Sequence, residues 1–95
     1  MHVIFVIPAP LRPLTEGRSR LSVDVPSRSP SLGEALDALW ARCPAMRDRV
    51  LSEQGEVRPH VNIFVAAESS RWSGGLATRV PDGAEISILP PVSGG

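Results

Sequence analysis

Ser31-Leu32-Gly33-Glu34-Ala35-Leu36-Asp37-Ala38-Leu39-Trp40-Ala41-Arg42-Cys43-Pro44 is the stretch on which the fold turns. Its start matches a capping box, in which the Ser31 hydroxyl and the Glu34 carboxylate satisfy the free N–H groups that open a helix. Leu32, Ala35, Leu36, Leu39, Trp40 and Cys43 then recur at i, i+3, i+4, i+7, i+8 and i+11, one apolar stripe on the helical period. Pro44 is expected to end the helix.

On either side the period changes to two. Upstream, His2–Ile7 reads as a strand apolar on both faces, the pattern of a central strand covered on both sides. Pro8, Pro10 and Pro13 break it, and Thr15-Glu16-Gly17 gives a loop. Arg20–Val25 alternates, with Leu21, Val23 and Val25 on one face and Ser22 and Asp24 on the other. Downstream of the helix, Met46 to Leu51 reads as a short turn and Ser52–Arg58 as a polar loop. Val61, Ile63 and Val65 alternate with Asn62 and Phe64 as a third strand. Ala66–Gly75 is irregular, with a tight turn at Ser73-Gly74-Gly75, and Leu76–Val80 reads as a short edge segment. Pro81-Asp82-Gly83 signals a turn, and Ala84–Leu89 is the last strand, with Ile86 and Ile88 inward. Strand, strand, helix, strand, strand predicts an α+β domain with a mixed sheet packed on one main helix. The crossover lets the last strand lie parallel to the first at the sheet centre.

Composition bounds the function. Ninety-five residues make one domain with a small core, and 42% apolar with 21% charged residues is ordinary for a soluble globular chain. Ten basic residues balance ten carboxylates without a block of either sign, so neither nucleic acid nor an anionic membrane is an expected partner. Val3–Ile7 is too short for a signal peptide core or a membrane span. One cysteine leaves no internal disulfide framework, and a cytoplasmic location is the default expectation. Every basic residue is arginine. Codon bias accounts for that, and so does a benefit to a chain whose carboxyl end is activated, since a lysine amine would capture it.

The residues hold little catalytic chemistry. His2 and His60 stand at strand starts, where a solvated imidazole is the plainer reading. No Cys/His cluster has zinc spacing, so no metal site is expected. Cys43 lies on the apolar stripe and reads as a small core residue, as does Trp40; Trp72 fits either a partner anchor or a lid over the core. Ser73-Gly74-Gly75 lacks the Lys of a phosphate loop. No nucleophile, base and orienter can be assembled, so the chain reads as a carrier or substrate and not as an enzyme.

What remains is the end, Pro90-Pro91-Val92-Ser93-Gly94-Gly95. Two glycines make a thin strip of backbone that enters a slot closed to any side chain, and two prolines upstream favour an extended, sheet-free exit. Residues 1–89 are thus expected to form the domain and 90–95 a flexible extended tail. At full stretch six residues reach about 20 Å, enough to carry a terminal carboxylate into another protein's active site.

Asp82-Gly83-Ala84-Glu85-Ile86-Ser87-Ile88-Leu89-Pro90-Pro91-Val92-Ser93-Gly94-Gly95 resembles the C-terminal signature of the MoaD/ThiS family, ubiquitin-like sulfur carriers with the β-grasp fold. Element order and length agree over the whole domain, and Leu11-Arg12 in the first loop also looks family-like. The resemblance implies that Gly95 is the reacting residue, with Gly94, Ser93, Val92 and Pro91 recognised as the tail. It implies no bound cofactor, but ATP consumed by a ubiquitin-activating-type adenylating enzyme, and a desulfurase or sulfurtransferase that converts the acyl adenylate to a thiocarboxylate. Pro59-His60-Val61-Asn62-Ile63-Phe64-Val65 with Arg71-Trp72-Ser73-Gly74-Gly75-Leu76-Ala77-Thr78 looks most like the carriers that serve an O-phosphoserine-dependent cysteine synthase, where a zinc metalloprotease releases the product. Ser93 departs from the Ala common in that group. The alternatives are the small subunit of molybdopterin synthase, whose large subunit would be the acceptor, a sulfur donor to a natural-product pathway, a ubiquitin-like protein modifier, and a non-covalent interaction module. Strand parity places Phe64 and Leu89 on the open face of the sheet as a docking patch, joined by Ile7 on family analogy; loop 66–75 folding over that face is the competing expectation.

Overall fold

The computed structural model describes residues 1–66, 68–69 and 74–89. Five strands form one mixed sheet: β1 His2–Val6, β2 Arg20–Asp24, β3 Asn62–Val65, β4 Glu68–Ser69 and β5 Glu85–Leu89. Their spatial order is β2-β1-β5-β3-β4. β1 pairs antiparallel with β2 and parallel with β5, and β5 pairs antiparallel with β3, so the last strand sits at the centre. The central, parallel last strand is the one the element order predicts, and the whole is the β-grasp arrangement that the family resemblance implies.

Helix α1, Leu32–Arg42, supplies what the sheet needs to bury. Both bonds of the capping box form: the Glu34 N–H donates to Ser31 Oγ at 3.2 Å, and the Ser31 N–H donates to Glu34 Oε1 at 3.1 Å. Leu32, Ala35, Leu36, Leu39 and Trp40 are buried in one core with Val3, Phe5 and Ile7 of the first strand and its exit, and with Ile63, Ile86 and Ile88. Full burial of a side chain such as Phe5 is worth roughly 1.5–3 kcal/mol, so this single layer contact dominates stability. Cys43, expected in the core, is half-buried and packs against its edge.

α1 ends at Arg42 with Cys43 as its C-cap, immediately before Pro44, as the sequence predicts. Pro44 then opens a second helix, α2, Pro44–Val50, where the missing proline N–H leaves nothing unsatisfied at a first helical position. Met46 and Val50 of that helix are buried, so what reads locally as a turn is recruited by the core. The loop after β1 is likewise ordered as a 3-10 helix over Ala9–Thr15. The expected edge segment 76–80 is a 3-10 turn, Gly75–Ala77, followed by a bridge from Arg79 to Ser31. There the Leu32 N–H donates to Thr78 O at 2.7 Å and the Val80 N–H to Pro30 O at 3.0 Å, which ties the segment to the start of α1 and not to the sheet. Gly33 permits the approach, since a Cβ at that position would lie 3.4 Å from Leu76 O. The turn into β5 closes with the Ala84 N–H donating to Pro81 O at 3.1 Å, and Gly83 takes φ +81, the left-handed region that glycine occupies without penalty.

Candidate functional site

β5, the strand that precedes residues 90–95 in the sequence, is held on both sides. Ile4, Phe5 and Val6 stand opposite Glu85, Ile86 and Ser87, while Asn62, Ile63, Phe64 and Val65 stand opposite Leu89, Ile88, Ser87 and Ile86. Residues 90–95 therefore follow directly on a strand that is paired along both edges. Pro91, Val92, Ser93, Gly94 and Gly95, on which the sequence places the chemistry, lie outside the described residues, as does Trp72.

Alternation then sorts the sheet into two faces. Val3, Phe5, Ile63, Val65, Ile86 and Ile88 point into the core. Leu89 emerges on the other face at 42% exposure, and Phe64 is half-buried there, one register step along β3 from Asn62, which stands opposite Leu89. Ile7 does not join them. It is 0% exposed, because it shares parity with Val3 and Phe5 and so falls on the core side. The apolar residues of β1 that do reach the open face are Ile4 and Val6, both half-buried. A strand apolar at every position reads as covered on both sides, and that reading hid these two; their parity with Ser22 and Ser87 across the sheet is the signal that reveals them.

The same face carries charge. Arg20 on β2 reaches across β1 to pair with Glu85 on β5. Both side chains are about half exposed, so the pair fixes position more than it adds stability. β4 extends the sheet beyond β3 at the edge, with Phe64 opposite Ser69 and Val65 opposite Glu68, so these two residues of loop 66–75 pair in the sheet plane and do not lie across its face.

Among the described residues no catalytic constellation forms. His2 Nδ1 lies 4.0 Å from Asp24 Oδ1 with both side chains about three-quarters exposed, and His60 is exposed. Cys43 borders a small hollow with Arg18 and Arg42, with no histidine lining it. A shallower groove, lined by Val25, Pro26, Ser27, Glu34, Asp37 and Ala38, pairs an apolar floor with the carboxylate of the helix cap. No group of three or more His, Cys, Asp or Glu among the described residues is placed to hold a metal ion. No described helix is long and apolar enough to cross a membrane.

A mixed sheet gripping one main helix, with the C-terminal strand at its centre and an apolar open face beside the end of that strand, defines a ubiquitin-like β-grasp domain. The chain belongs to the ThiS family of ubiquitin-like sulfur carriers, whose pattern it matches over residues 5–95. It is 38% identical over 97 residues to the sulfur carrier protein CysO of Mycobacterium tuberculosis, covering the whole of both chains. The crystal structure of that protein superposes with a TM-score of 0.84 at 37% identity, over 95% of this chain and 99% of the other. Small archaeal modifier protein 1 of Haloferax volcanii is 38% identical over 79 residues, 83% of this chain and 85% of that one. A BexX/CysO complex from Amycolatopsis orientalis contains a chain that superposes with a TM-score of 0.86 at 31% identity, over 98% of this chain and 99% of that one.

Proposed function

We propose that this protein is a sulfur carrier that works through the carboxylate of Gly95, serving cysteine synthesis from O-phosphoserine. A carboxylate is a poor electrophile, so an activating enzyme of the ubiquitin-activating type first joins it to the AMP moiety of ATP. The outer sulfur of a persulfide, supplied by a desulfurase or a rhodanese-like sulfurtransferase, then displaces AMP to give an acyl disulfide. A second thiol attacks the donor's sulfur, so that the S–S bond breaks, a disulfide forms on the donor and a thiocarboxylate leaves. That sulfur is the nucleophile delivered to a pyridoxal-phosphate cysteine synthase, and a zinc metalloprotease frees the product from the tail. The domain, residues 1–89, serves as the handle and residues 90–95 as the reacting arm.

The observation that carries this reading is the 38% identity to CysO, which runs through both chains from end to end. Leu89 and Phe64, extended by Val6 and Ile4, are proposed as the surface that the activating and acceptor enzymes contact, because an apolar face beside the tail root would bring Gly95 to a partner's active site. The similarity to small archaeal modifier protein 1 favours a second reading, in which Gly95 is joined to amines of other proteins. Intact mass spectrometry of the protein from its own host separates the two. One terminal oxygen replaced by sulfur supports the carrier, whereas adducts of this chain on other proteins support the modifier. Sulfur delivery that proceeds undiminished with an alanine still attached after Gly95 would overturn the carrier reading.

A further inference from the structure

The chain contains no lysine, and the primary amine that the structure describes, that of Met1, is built into the sheet. The Met1 nitrogen donates to Val25 O at 2.8 Å, and the Val25 N–H donates back to Met1 O at 2.8 Å, a closed rung continuing the β1–β2 ladder. Asp24 Oδ1 lies 3.7 Å from the same nitrogen, and the Met1 side chain is 8% exposed. To attack an acyl group the nitrogen would have to shed a proton and present its lone pair while another N–H stays in the rung, so an acyl carbon could approach only from the side that Val25 and Asp24 leave open.

Topology adds distance. β1 and β5 run parallel with Val6 opposite Ser87, so Leu89 stands level with Pro8, seven residues past Met1. At ~3.3 Å per residue the amine lies about 23 Å back along the sheet from the tail root. Six residues span at most about 20 Å, and any turn toward Met1 would consume part of that length.

We propose that this fold withholds nitrogen nucleophiles from its own activated end, by distance within one molecule and by the absence of lysine and the tethering of Met1 between copies, so that the Gly95 acyl group passes to sulfur and not to an amine of this chain; the inference rests on activation of Gly95 as read above. In the reaction avoided, an amine lone pair attacks the Gly95 carbonyl carbon and a C–N bond forms. The bond to AMP or to sulfur breaks, the amine proton passes to solvent, and a dead-end amide remains. Arginine supplies the positive charge of lysine through a guanidinium that stays protonated, so solubility is kept without a nucleophile. The exposed Arg28 and Arg49 are positions where a lysine would otherwise be unremarkable.

The test uses the full chain carrying a Gly95 thioester, made by intein cleavage and incubated at neutral pH. The unsubstituted thioester is expected to hydrolyse or exchange with added thiol, giving under one-tenth of the amide-linked dimer formed by Arg28→Lys. In parallel, acetyl N-hydroxysuccinimide is expected to acetylate Met1 at least fivefold more slowly in the folded protein than in the same protein in urea. Equal dimer from both proteins, no dimer from Arg28→Lys, or equal Met1 labelling folded and unfolded would each overturn the proposal. None of these readouts requires the host's sulfur enzymes, so a native protein lacking terminal sulfur would defeat the functional reading and leave this one standing.

Discussion

The two faces of the sheet are built from the same kinds of residue and have opposite fates. On one, Val3, Phe5, Ile86 and Ile88 meet the stripe of α1 and are at most 1% exposed. On the other, Ile4, Val6, Phe64 and Leu89 are interleaved with Ser22, Ser87 and Asn62 under the Arg20–Glu85 pair, and stay half-buried or exposed. Apolar character alone therefore does not say which side of a central strand is core. What decides is the partner layer: one capped helix covers one face, and the apolar surplus on the other is left beside the strand that leads to the tail.

The largest effect should come from opening the covered face. Phe5→Ala should lose about 3–5 kcal/mol through lost transfer energy and a cavity. In a chain of this size that lowers the melting temperature by well over 10 °C, readable by circular dichroism. A shift below about 4 °C would mean that the two faces are not as different as their burial implies.

Leu89→Asp is the converse. Folding stability should stay within about 0.5 kcal/mol, since the side chain is already exposed. Adenylation by the cognate activating enzyme should fall at least tenfold in kcat/KM, about 1.4 kcal/mol of lost contact. Unchanged turnover, both in adenylation and with the acceptor, would remove the docking role of the open face.

Two smaller substitutions sharpen the picture. Ser31→Ala removes the hydroxyl that accepts the Glu34 N–H, and should cost about 1 kcal/mol in urea denaturation. Arg20→Met should cost under about 1 kcal/mol, and its effect should shrink further in molar salt. A salt-independent loss would instead mean that the arginine stem contributes by packing on Val6 and Ile4.

Much of this was legible because local rules and tertiary demands coincide. The Ser31–Glu34 box, the stripe through Trp40 and the alternation in β2 and β5 each carry one period, and the structure keeps them. Reading failed where a residue answers to partners far along the chain. Met46 to Leu51 looks like a short turn, yet Met46 and Val50 have a core to enter, so a second helix forms from Pro44. Leu76–Val80 looks like strand, but its hydrogen bonds are claimed by Pro30 and by the Leu32 N–H at the start of α1. Ile7 looked like a surface residue only by analogy, and counting parity from Phe5 returns it to the core.

The chain's own residues determined the main helix and its cap, the alternating strands and the diglycine end, because each depends on neighbours within a few positions. Only the tertiary structure decided which face of β1 is covered, that β5 lies between β1 and β3, and that the Met1 nitrogen donates to Val25 O at the end of the sheet away from Leu89. Those outcomes depend on pairings between residues far apart in the chain, from Val6 with Arg20 to Ile4 with Glu85, and a sheet that alternates perfectly has two sides until a helix covers one of them.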